Sequence, residues 1–445
     1  MSVERESWTS RRGAGGRGLI AIPLLRRGLH PFLERTPVRL RFRFSDGTEL
    51  ANTDDEPEAV ITFHGGKAEW NAVLFGHIGL LESYFAQQVD IDGDLLAVFR
   101  ASYDSSFSQP NPLVAIRNRW HERRFSNRTI EQAKWNARFH YGLPREFFRY
   151  WLDDPTMTYT CAYWKEGTET VEEAQRNKLE HVCRKLRLQP GDRMADIGCG
   201  WGGLMYHAHR EYGVDVTGYN TTTEQVNDLR ADIERDGLGE HLVVKEADHR
   251  EVDEQFDKVA HVGVLEHAGR DQQRESVEAL ARATKPGGIG VLHFIGHVGQ
   301  FPTEFYIRKH VFPGGWIPSL TETLDHMEAC GLDILDIENL RRHYALTLDA
   351  WAERFDRHWE EIRRIDPRRF DEHFRRNWRV YLWACAEMFR APRGYTHLFQ
   401  IVYSKGNVGY DYPMSRRYQY ARDFGADPAT VEPGGGRAGP DRAAR

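Results

Sequence analysis

The sequence of 445 residues lacks several features that would assign it to a particular class of protein. It contains no run of eighteen apolar residues, the length that a membrane-spanning helix needs. Its five cysteines are scattered and form no Cys-x-x-Cys pair, which argues against a disulfide framework and against a zinc ribbon. The basic first eighteen residues have no apolar core of a secretory signal. We therefore expect a soluble cytoplasmic protein without a bound metal.

Charge of one sign is not in large excess either. Lys and Arg total 60 against 66 Asp and Glu, so the chain lacks the basic character of many nucleic-acid binders. The first 44 residues differ, because they contain ten Arg and only three Glu. Such a segment gains about 1 kcal/mol per basic residue near an anionic membrane. A solvated basic tail explains the same composition equally well.

Composition and turn residues divide the chain into four parts. Residues 1–18 are rich in Arg, Gly and Ser, residues 426–445 are rich in Arg, Gly and Pro, and both segments are predicted to be disordered. Residues 19–112 contain short alternating strands and one long helix, which indicates a small α+β domain and a candidate lipid-binding domain. It ends in a Ser- and Pro-rich linker at 105–112. Residues 113–425 would form the catalytic domain.

From residue 171 onward the hydrophobic period alternates between that of helices and that of strands. Helices are predicted at 171–188, 202–212 and 223–236, and strands at 194–197, 214–219, 242–246, 259–264, 288–294 and 397–404. Alternation at this spacing predicts an α/β fold with a mostly parallel sheet and helices on both faces, as in Rossmann-like proteins.

A glycine-rich turn follows the first of these strands and opens a helix. It reads Asp196-Ile-Gly-Cys-Gly-Trp-Gly-Gly203. Glycine lets the backbone turn tightly and approach a ligand, and the following helix N-terminus favours polar or negative groups. Dinucleotide-binding proteins use Gly-x-Gly-x-x-Gly, so a NAD fold is the less favoured alternative.

Six separated motifs between residues 137 and 405 resemble the cyclopropane fatty acid synthase family. This family of S-adenosylmethionine (SAM)-dependent enzymes includes the mycolic acid and methyl-branched fatty acid methyltransferases. The motifs are His140-Tyr-Gly, Tyr159-Thr-Cys-Ala-Tyr-Trp164, the glycine-rich turn, Leu265-Glu-His-Ala-Gly269, Leu292-His-Phe-Ile-Gly296 and Phe312-Pro-Gly-Gly-Trp-Ile-Pro318. The resemblance implies a class I methyltransferase fold with an added N-terminal domain.

The resemblance also implies which residues bind SAM. Glycines of the turn would line the cofactor, two residues would approach its methionine end, two would take the ribose and two would flank the adenine. In that order they are Gly198, Gly200 and Gly202; Tyr159 and Thr160; Asn220 and Gln225; Asp248 and His249. Read without the resemblance, each polar side chain among them is an ordinary loop residue.

For the chemistry, the family binds bicarbonate through side chains and one backbone group. The matching positions here are Cys161, Glu266, His293, Tyr344 and Ile295, and Glu146 stands where the family usually has Asp. Read alone, Cys161 would be a small buried hydrophobe and His293 a core histidine. Glu146 departs from the family pattern, as does Gly263-Val-Leu-Glu-His267.

The implied reaction adds a methyl or methylene carbon to the cis double bond of unsaturated phospholipid acyl chains. The product is a cyclopropane or a methylene or methyl-branched chain, and the residues do not decide between them. The expected place is the inner membrane face, with peripheral attachment, no nucleic-acid partner and a homodimeric state. Aromatic residues at helical spacing in 348–382 would cover the acyl chain. A methyltransferase of a small soluble acceptor and a non-catalytic lipid carrier are the alternatives.

Overall fold

The computed structural model describes residues 18–104, 111–392 and 394–420, which form two compact units. The first unit extends to Arg117 and also contains Arg368–Glu387. The second contains Asn118–Pro367, Met388–Arg390 and the chain from Gly394. Apart from Gly18, the predicted tails lie outside the described residues, as does most of the predicted linker. The domain boundaries given above remain a prediction.

The first unit contains a four-stranded sheet with the strand order β2-β1-β3-β4. Strands β1 and β3 are parallel, and the other two pairs are antiparallel. Alternate residues of the central strands, such as Phe42, Ile61 and Phe63, are buried. The elements are α1 (Gly18–Arg35), β1 (Leu40–Arg43), β2 (Glu49–Ala51), β3 (Ala59–Phe63), α2 (Gly66–Phe85), β4 (Val89–Gly93) and α3 (Leu95–Asp104). Helix α4 (Pro112–Arg124) continues from this unit into the second.

The second unit contains a seven-stranded sheet with the order β10-β11-β9-β8-β5-β6-β7. Only β11 runs antiparallel to its neighbours. The strands are β5 (Arg193–Ile197), β6 (Asp215–Asn220), β7 (Leu242–Glu246), β8 (Phe256–Val262), β9 (Thr284–His297), β10 (Leu332–Asn339) and β11 (Thr396–Lys405). The strand order reverses beside β5, and ligands bind at such switch points in open α/β sheets.

Helices cover both faces of this sheet. Buried residues of α7, α8 and α9 pack on one face and those of α10 and α11 on the other. The helices are α5 (Ile130–Tyr141), α6 (Arg145–Arg149), α7 (Val171–Leu186), α8 (Gly203–Tyr212), α9 (Thr223–Arg235), α10 (Gln273–Ala283), α11 (Leu320–Ala329), α12 (Arg341–Arg357), α13 (Trp359–Ile365), α14 (Glu372–Arg390) and α15 (Arg417–Tyr420). Short turns of 3₁₀-helix lie at His249–Glu251, Leu265–His267 and Arg270–Gln272, and one π-helical turn at Ile307–Val311.

The predicted α/β fold class is confirmed, including the mostly parallel sheet with helices on both faces. Helix α14 was expected to be part of the catalytic domain, but most of it groups with the first unit. The aromatic residues of α12 and α13 are buried, including Trp351, Phe355 and Trp359. Among the helices that the structure describes, none combines the length and the apolar character that a membrane crossing requires.

Candidate active site

The turn between β5 and α8 borders a cavity at the carboxyl ends of the parallel strands. Gly198, Gly200 and Gly202 have φ angles of +85°, +56° and +84°, which residues with a Cβ rarely adopt. A Cβ at Gly198 would lie 2.1 Å from Cγ2 of Val264, and one at Gly202 would lie 2.5 Å from Cδ1 of Leu229. A Cβ at Gly200 would meet no atom within 4 Å. Gly198 and Gly200 line the cavity, whereas Gly202 serves the packing of the turn.

Asn220 and Gln225 lie together at the end of β6 and both line this cavity. Nδ2 of Asn220 donates to Oε1 of Gln225 at 2.9 Å and to the carbonyl of Gly200 at 3.3 Å. Oδ1 of Asn220 accepts from the Thr222 amide at 3.1 Å. The asparagine therefore ties the glycine-rich turn to the β6 end, and the two predicted ribose-binding residues form one polar group.

After β7, the two predicted adenine-flanking residues, Asp248 and His249, have different roles. Asp248 caps the turn His249–Glu251, and its carboxylate accepts from Nε and Nη2 of Arg250 at 2.7 and 3.1 Å. These hydrogen bonds and the charge of Arg250 outweigh burial and lower the pKa of Asp248. His249 lines the cavity, and its buried Nε2 has no partner among the described residues. His249 thus offers a free ring nitrogen, while Asp248 is engaged in holding the turn.

Tyr159 and Thr160 also line the cavity, beside the buried Lys178. The hydroxyl of Tyr159 is 2.9 Å from Nε2 of His140, and Nζ of Lys178 donates to Oγ1 of Thr160 at 3.0 Å. Burial lowers the pKa of Lys178 to about 8 and raises that of Asp196 to about 7, while the charge of each group opposes the shift of the other. The cavity therefore contains an acid and a base that both titrate near neutral pH.

Cys161 is fully buried next to this lysine. Burial raises the pKa of its thiol, so the sulfur is protonated at neutral pH. The segment carrying it is fixed by Thr347 of α12, whose Oγ1 accepts from the Ala162 amide at 3.1 Å and from Nε1 of Trp164 at 3.0 Å. Cys161 is therefore a neutral, rigidly placed group and not a nucleophilic thiolate.

Glu266 lies in the 3₁₀ turn that follows β8, where its carboxylate meets the end of β9. Its Oε1 accepts from the Ile295 amide at 3.2 Å, and its buried Oε2 has no partner among the described residues. Burial raises the pKa of Glu266 to about 7. The predicted pair of Glu266 and the Ile295 backbone is thus in direct contact, and one carboxylate oxygen remains available.

A chain of hydrogen bonds fixes the proton position on His293. Nζ of Lys185 donates to Oε1 of Gln400 at 2.8 Å, so the amide NH₂ of Gln400 must face His293, whose Nδ1 lies 3.0 Å from it. Nδ1 is then the acceptor, and the ring proton is assigned from this network to Nε2. Burial lowers the pKa of His293, so the ring stays neutral. Its Nε2 is buried without a partner among the described residues and is an available donor.

Tyr344 and Glu146 differ in their placement. Tyr344 is buried on α12, one turn before Thr347, with its ring 4.7 Å from that of Phe389 and 6.2 Å from that of Trp351. Trp351 in turn contacts the ring of Tyr159 at 5.2 Å, so an aromatic cluster links Tyr344 to the cavity wall. Glu146 is exposed on the short helix α6. The structure does not bring Glu146 to the other predicted catalytic residues.

Sequence reasoning did not single out Lys178, Lys185, Gln400 or Thr347 as site residues. A signal exists for the two lysines, because they lie on the apolar face of α7 among buried residues such as Leu179 and Val182. A lysine in such a face is rarely buried without a partner. Gln400 has no comparable signal, since its partners are 107 and 215 residues away in the chain.

The chemistry of these groups fits both predicted ligands. An acidic group at Asp196, the polar pair of Asn220 and Gln225, a free ring nitrogen at His249 and a glycine backbone open at Gly200 suit a ligand with amino, ribose and base moieties. The free acceptor on Glu266 and the free donor on His293 suit a small group that both donates and accepts hydrogen bonds, as bicarbonate does.

Comparison with known proteins identifies the family. The sequence profile described as mycolic acid cyclopropane synthetase matches residues 128–401, more than half of the chain. The chain belongs to the mycolic acid cyclopropane synthetase family. It is accordingly an enzyme of the SAM-dependent methyltransferase class. The predicted family resemblance is confirmed.

Several relatives show the extent of the similarity. A probable fatty acid methyltransferase of Pseudomonas putida is 36% identical over 295 residues, which cover 63% of this chain and 72% of that protein. The cyclopropane-fatty-acyl-phospholipid synthase of Escherichia coli K12 is 37% identical over 268 residues, covering 60% and 67%. The crystal structure of mycolic acid cyclopropane synthase CmaA1 complexed with SAH and CTAB is 30% identical, with a TM-score of 0.57, and covers 61% of this chain and 98% of that one.

Proposed function

We propose that this enzyme transfers a methyl carbon from SAM to the cis double bond of unsaturated fatty acyl chains of phospholipids. The observation that carries the proposal is that Oε2 of Glu266 and Nε2 of His293 are buried without a partner among the described residues. His293 pairs with Val262, which lines the glycine-rich cavity, and Glu266 lies in the chain between Val264 and His267, which also line it. A methyltransferase of a small soluble acceptor has no need for two such buried groups. The relatives named as fatty acid methyltransferase and cyclopropane-fatty-acyl-phospholipid synthase support the same substrate class.

The cofactor residues follow from the lining of the cavity. We assign Tyr159, Thr160, Gly198, Gly200, Asn220, Gln225 and His249 to direct SAM contacts. Gly202 and Asp248 would support the turns that present these groups. Asp196 and Lys178 join the set because their charged groups lie at the same cavity. When bound, SAM supplies an electrophilic methyl carbon.

The acyl chain dictates what the remaining residues must do. An alkene is an uncharged and weak nucleophile, so the protein must hold the double bond in a near-attack position against the methyl group of SAM. Formation of the new C–C bond leaves a positive charge on the acyl chain. The buried rings of Trp351 and Tyr344 and the partly buried ring of Tyr159 exclude water and offer electron-rich faces to that charge. The Glu266 carboxylate would add electrostatic stabilisation in this low-dielectric pocket.

Loss of one proton then restores a neutral chain that has gained one CH₂ unit. His293 cannot accept this proton on Nε2 while Gln400 donates to Nδ1, so it acts as a hydrogen-bond donor. Cys161 is protonated and is also excluded as the base. Glu266 is therefore the remaining candidate for the base. It would act alone or together with bicarbonate held by Cys161, Glu266, His293 and Tyr344. Bicarbonate would supply a base there that is small enough to reach the chain.

The product is either a cyclopropane or a methylene-branched chain. Proton loss from the new methyl with ring closure gives the ring, and a hydride shift before that loss gives an exocyclic methylene. Lipids from cells that express the protein should gain one CH₂ unit per modified chain, as mass spectrometry detects. Mild hydrogenation then separates the products, because the methylene takes up hydrogen and the ring does not. Unchanged lipid masses, with the protein folded and SAH bound, would refute the proposal.

We further propose that the enzyme works at the inner membrane face as a peripheral protein and as a homodimer. The substrate class and the basic first 44 residues support the membrane location. Sedimentation of the purified protein tests the dimer, and recovery of the protein with washed membranes tests the location.

A further inference from the structure

A second cavity of the catalytic unit is lined by arginines. It lies between the end of α4, the segment that leads to α5, and the 3₁₀ turn Arg270–Gln272. The lining contains two carboxylates, Glu122 and Asp271, against six guanidinium groups. The six are Arg119, Arg123, Arg124, Arg128, Arg270 and Arg308. The cavity is therefore strongly positive in a chain whose net charge is −6.

The ion pairs of the cavity leave most of this charge unbalanced. Glu122 serves two arginines, with Nη1 of Arg308 at 3.2 Å and Nη1 of Arg270 at 3.9 Å. The exposed Arg119, Arg123 and Arg128 form no ion pair with any described residue. Arg308 is almost fully buried, and its Nε has no hydrogen-bond partner within the described chain. Exposed guanidinium groups without an ion-pair partner bind phosphate through paired hydrogen bonds.

Large aromatic side chains lie exposed beside the arginines. Trp120, Trp135 and Phe139 are 66%, 50% and 48% exposed. Trp135 stacks on Phe125 with ring centroids 5.6 Å apart, and the guanidinium of Arg124 lies 5.3 Å from the same Phe125 ring. Tryptophan and arginine on one face are typical of proteins that dock at the boundary between lipid headgroups and acyl chains. A soluble phosphate compound would leave the aromatic side chains in water.

The arginine cavity shares a wall with the cofactor cavity. Nδ2 of Asn127, which lines the arginine cavity, donates to the carbonyl of His267 at 2.6 Å, and His267 lines the cofactor cavity. Gly269, two residues further on, also lines the arginine cavity. A lipid whose phosphate is held at the arginines would therefore have its glycerol end close to the site that treats its acyl chain.

We propose that this cavity binds the phosphate of an anionic phospholipid while Trp120, Trp135 and Phe139 enter the membrane interface. The inference deepens the proposed function and rests on it, since it names how the lipid substrate is engaged. It places a lipid contact in the catalytic unit, separate from the basic first 44 residues.

Vesicle binding of the full chain tests the proposal. The paired variant Arg123→Gln/Arg128→Gln removes two unpaired charges from the cavity. The matched control, Arg210→Gln/Arg235→Gln, removes two exposed charges on α8 and α9. Co-sedimentation with phosphatidylglycerol vesicles should show about a thirtyfold loss of affinity for the first pair, as about 1 kcal/mol per basic residue predicts. The control should bind as the unaltered protein does, and phosphatidylcholine vesicles should bind every form weakly.

A further variant, Trp120→Ser, should weaken vesicle binding without changing its dependence on lipid charge. SAH affinity, measured by calorimetry, should be the same in all variants and shows that they fold. Equal vesicle binding by both arginine pairs would overturn the inference. Loss of a dimer in Arg123→Gln/Arg128→Gln would also overturn it, because the face would then be a contact between two copies of the chain. The assay needs no turnover, so a protein that binds lipid without modifying it would contradict only the proposed function.

Discussion

At the residue scale, burial decides which side chains of the site can react. Glu266 and Asp196 are carboxyl groups whose pKa burial raises to about 7, and Lys178 is an amine whose pKa burial lowers to about 8. Each would be plainly charged at the surface. In these buried positions their protonation can change near neutral pH, which suits groups that must meet a cationic donor or accept a proton.

Glu266→Gln should lower kcat strongly and leave SAH affinity unchanged. The amide keeps the shape of the side chain, but it cannot accept a proton and carries no negative charge near the acyl chain. A general base typically contributes about 10²- to 10⁴-fold, and a loss in that range is expected in single-turnover assays. The control Glu234→Gln removes an exposed carboxylate from α9 and should leave both quantities unaltered. An equal loss of SAH affinity in Glu266→Gln would assign this residue to cofactor binding.

The dependence of kcat on pH should report the ionisation of Glu266. Because the pKa of Glu266 is about 7, the carboxyl is mostly neutral below that pH and mostly ionised above it. If the carboxylate is the active form, kcat rises as pH increases from 6 to 8 and then levels. The residual activity of Glu266→Gln should lack this rise. A profile that falls over the same range would mean that the neutral acid is the working form.

Gln400→Glu should reverse the hydrogen bond to His293. The carboxylate can still accept from Lys185, but it cannot donate to Nδ1 of His293. The ring proton is then expected on Nδ1, which turns the buried Nε2 into an acceptor. Loss of such an orienting partner typically costs about 10- to 100-fold in activity. Nitrogen-15 spectra of labelled histidine report the tautomer directly. An unchanged tautomer together with reduced activity would exclude this positioning role.

Residue types alone predict the strand-end groups but not their partners. Glu266 and His293 follow or lie within strands β8 and β9, and strand ends converge in a parallel sheet. The Lys185, Gln400 and His293 chain could not be predicted, because it joins α7, β11 and β9 through side-chain directions. The role of Glu146 stays a prediction. This residue aligns with an acidic position of the family, yet it lies on an exposed turn of α6.

At the element scale, different glycines of the turn between β5 and α8 serve packing and ligand binding. Gly200→Val should abolish SAH binding or weaken it at least about tenfold, because the new side chain extends into the open space that Gly200 borders. Gly237→Val is the matched control. Gly237 also has a positive φ, +67°, and open space around its Cβ position, but it follows α9 away from the cavity. Both variants place a valine at a positive φ, so a comparison of their SAH affinities by calorimetry separates the steric effect at the cavity from the effect of backbone strain. Equal affinities would remove Gly200 from the binding surface.

Strands and helices whose buried residues recur at one regular spacing were predictable from the sequence. Elements in which that spacing is interrupted were not. Strand β7 has the predicted bounds of 242–246, because Leu242 and Val244 alternate with outward residues. Strand β10 went unrecognised, since the register shift between Ile334 and Asp336 breaks the alternation. Helix α1 was not predicted either, because Pro23 and Pro31 lie within it and prolines usually end helices.

At the scale of the whole molecule, the two compact units do not follow the domain boundaries that the sequence suggests, because the chain returns to the first unit late in its course. A helical period shows that α14 has an apolar face, but it does not show what that face packs against. In the structure α14 completes the first unit. Arg376 donates to the carbonyls of Tyr84 and Val89 at 2.9 and 3.0 Å and pairs with Asp90 at 2.8 Å. The first unit is thus assembled from two distant segments of the chain.

A fragment of residues 1–117 should consequently fail to fold alone. It would lose the three contacts of Arg376 and the cation–π contact of that guanidinium with Tyr84, at 4.7 Å, and would expose the apolar surface beneath α14. Circular dichroism and amide proton spectra should show an incompletely folded chain. Addition of a peptide of residues 368–393 should restore structure, and the same peptide with Arg376→Ala should do so more weakly. Cooperative unfolding of the fragment without any peptide would show that α14 is dispensable, and that the first unit is an autonomous domain as the sequence division at residue 112 implies.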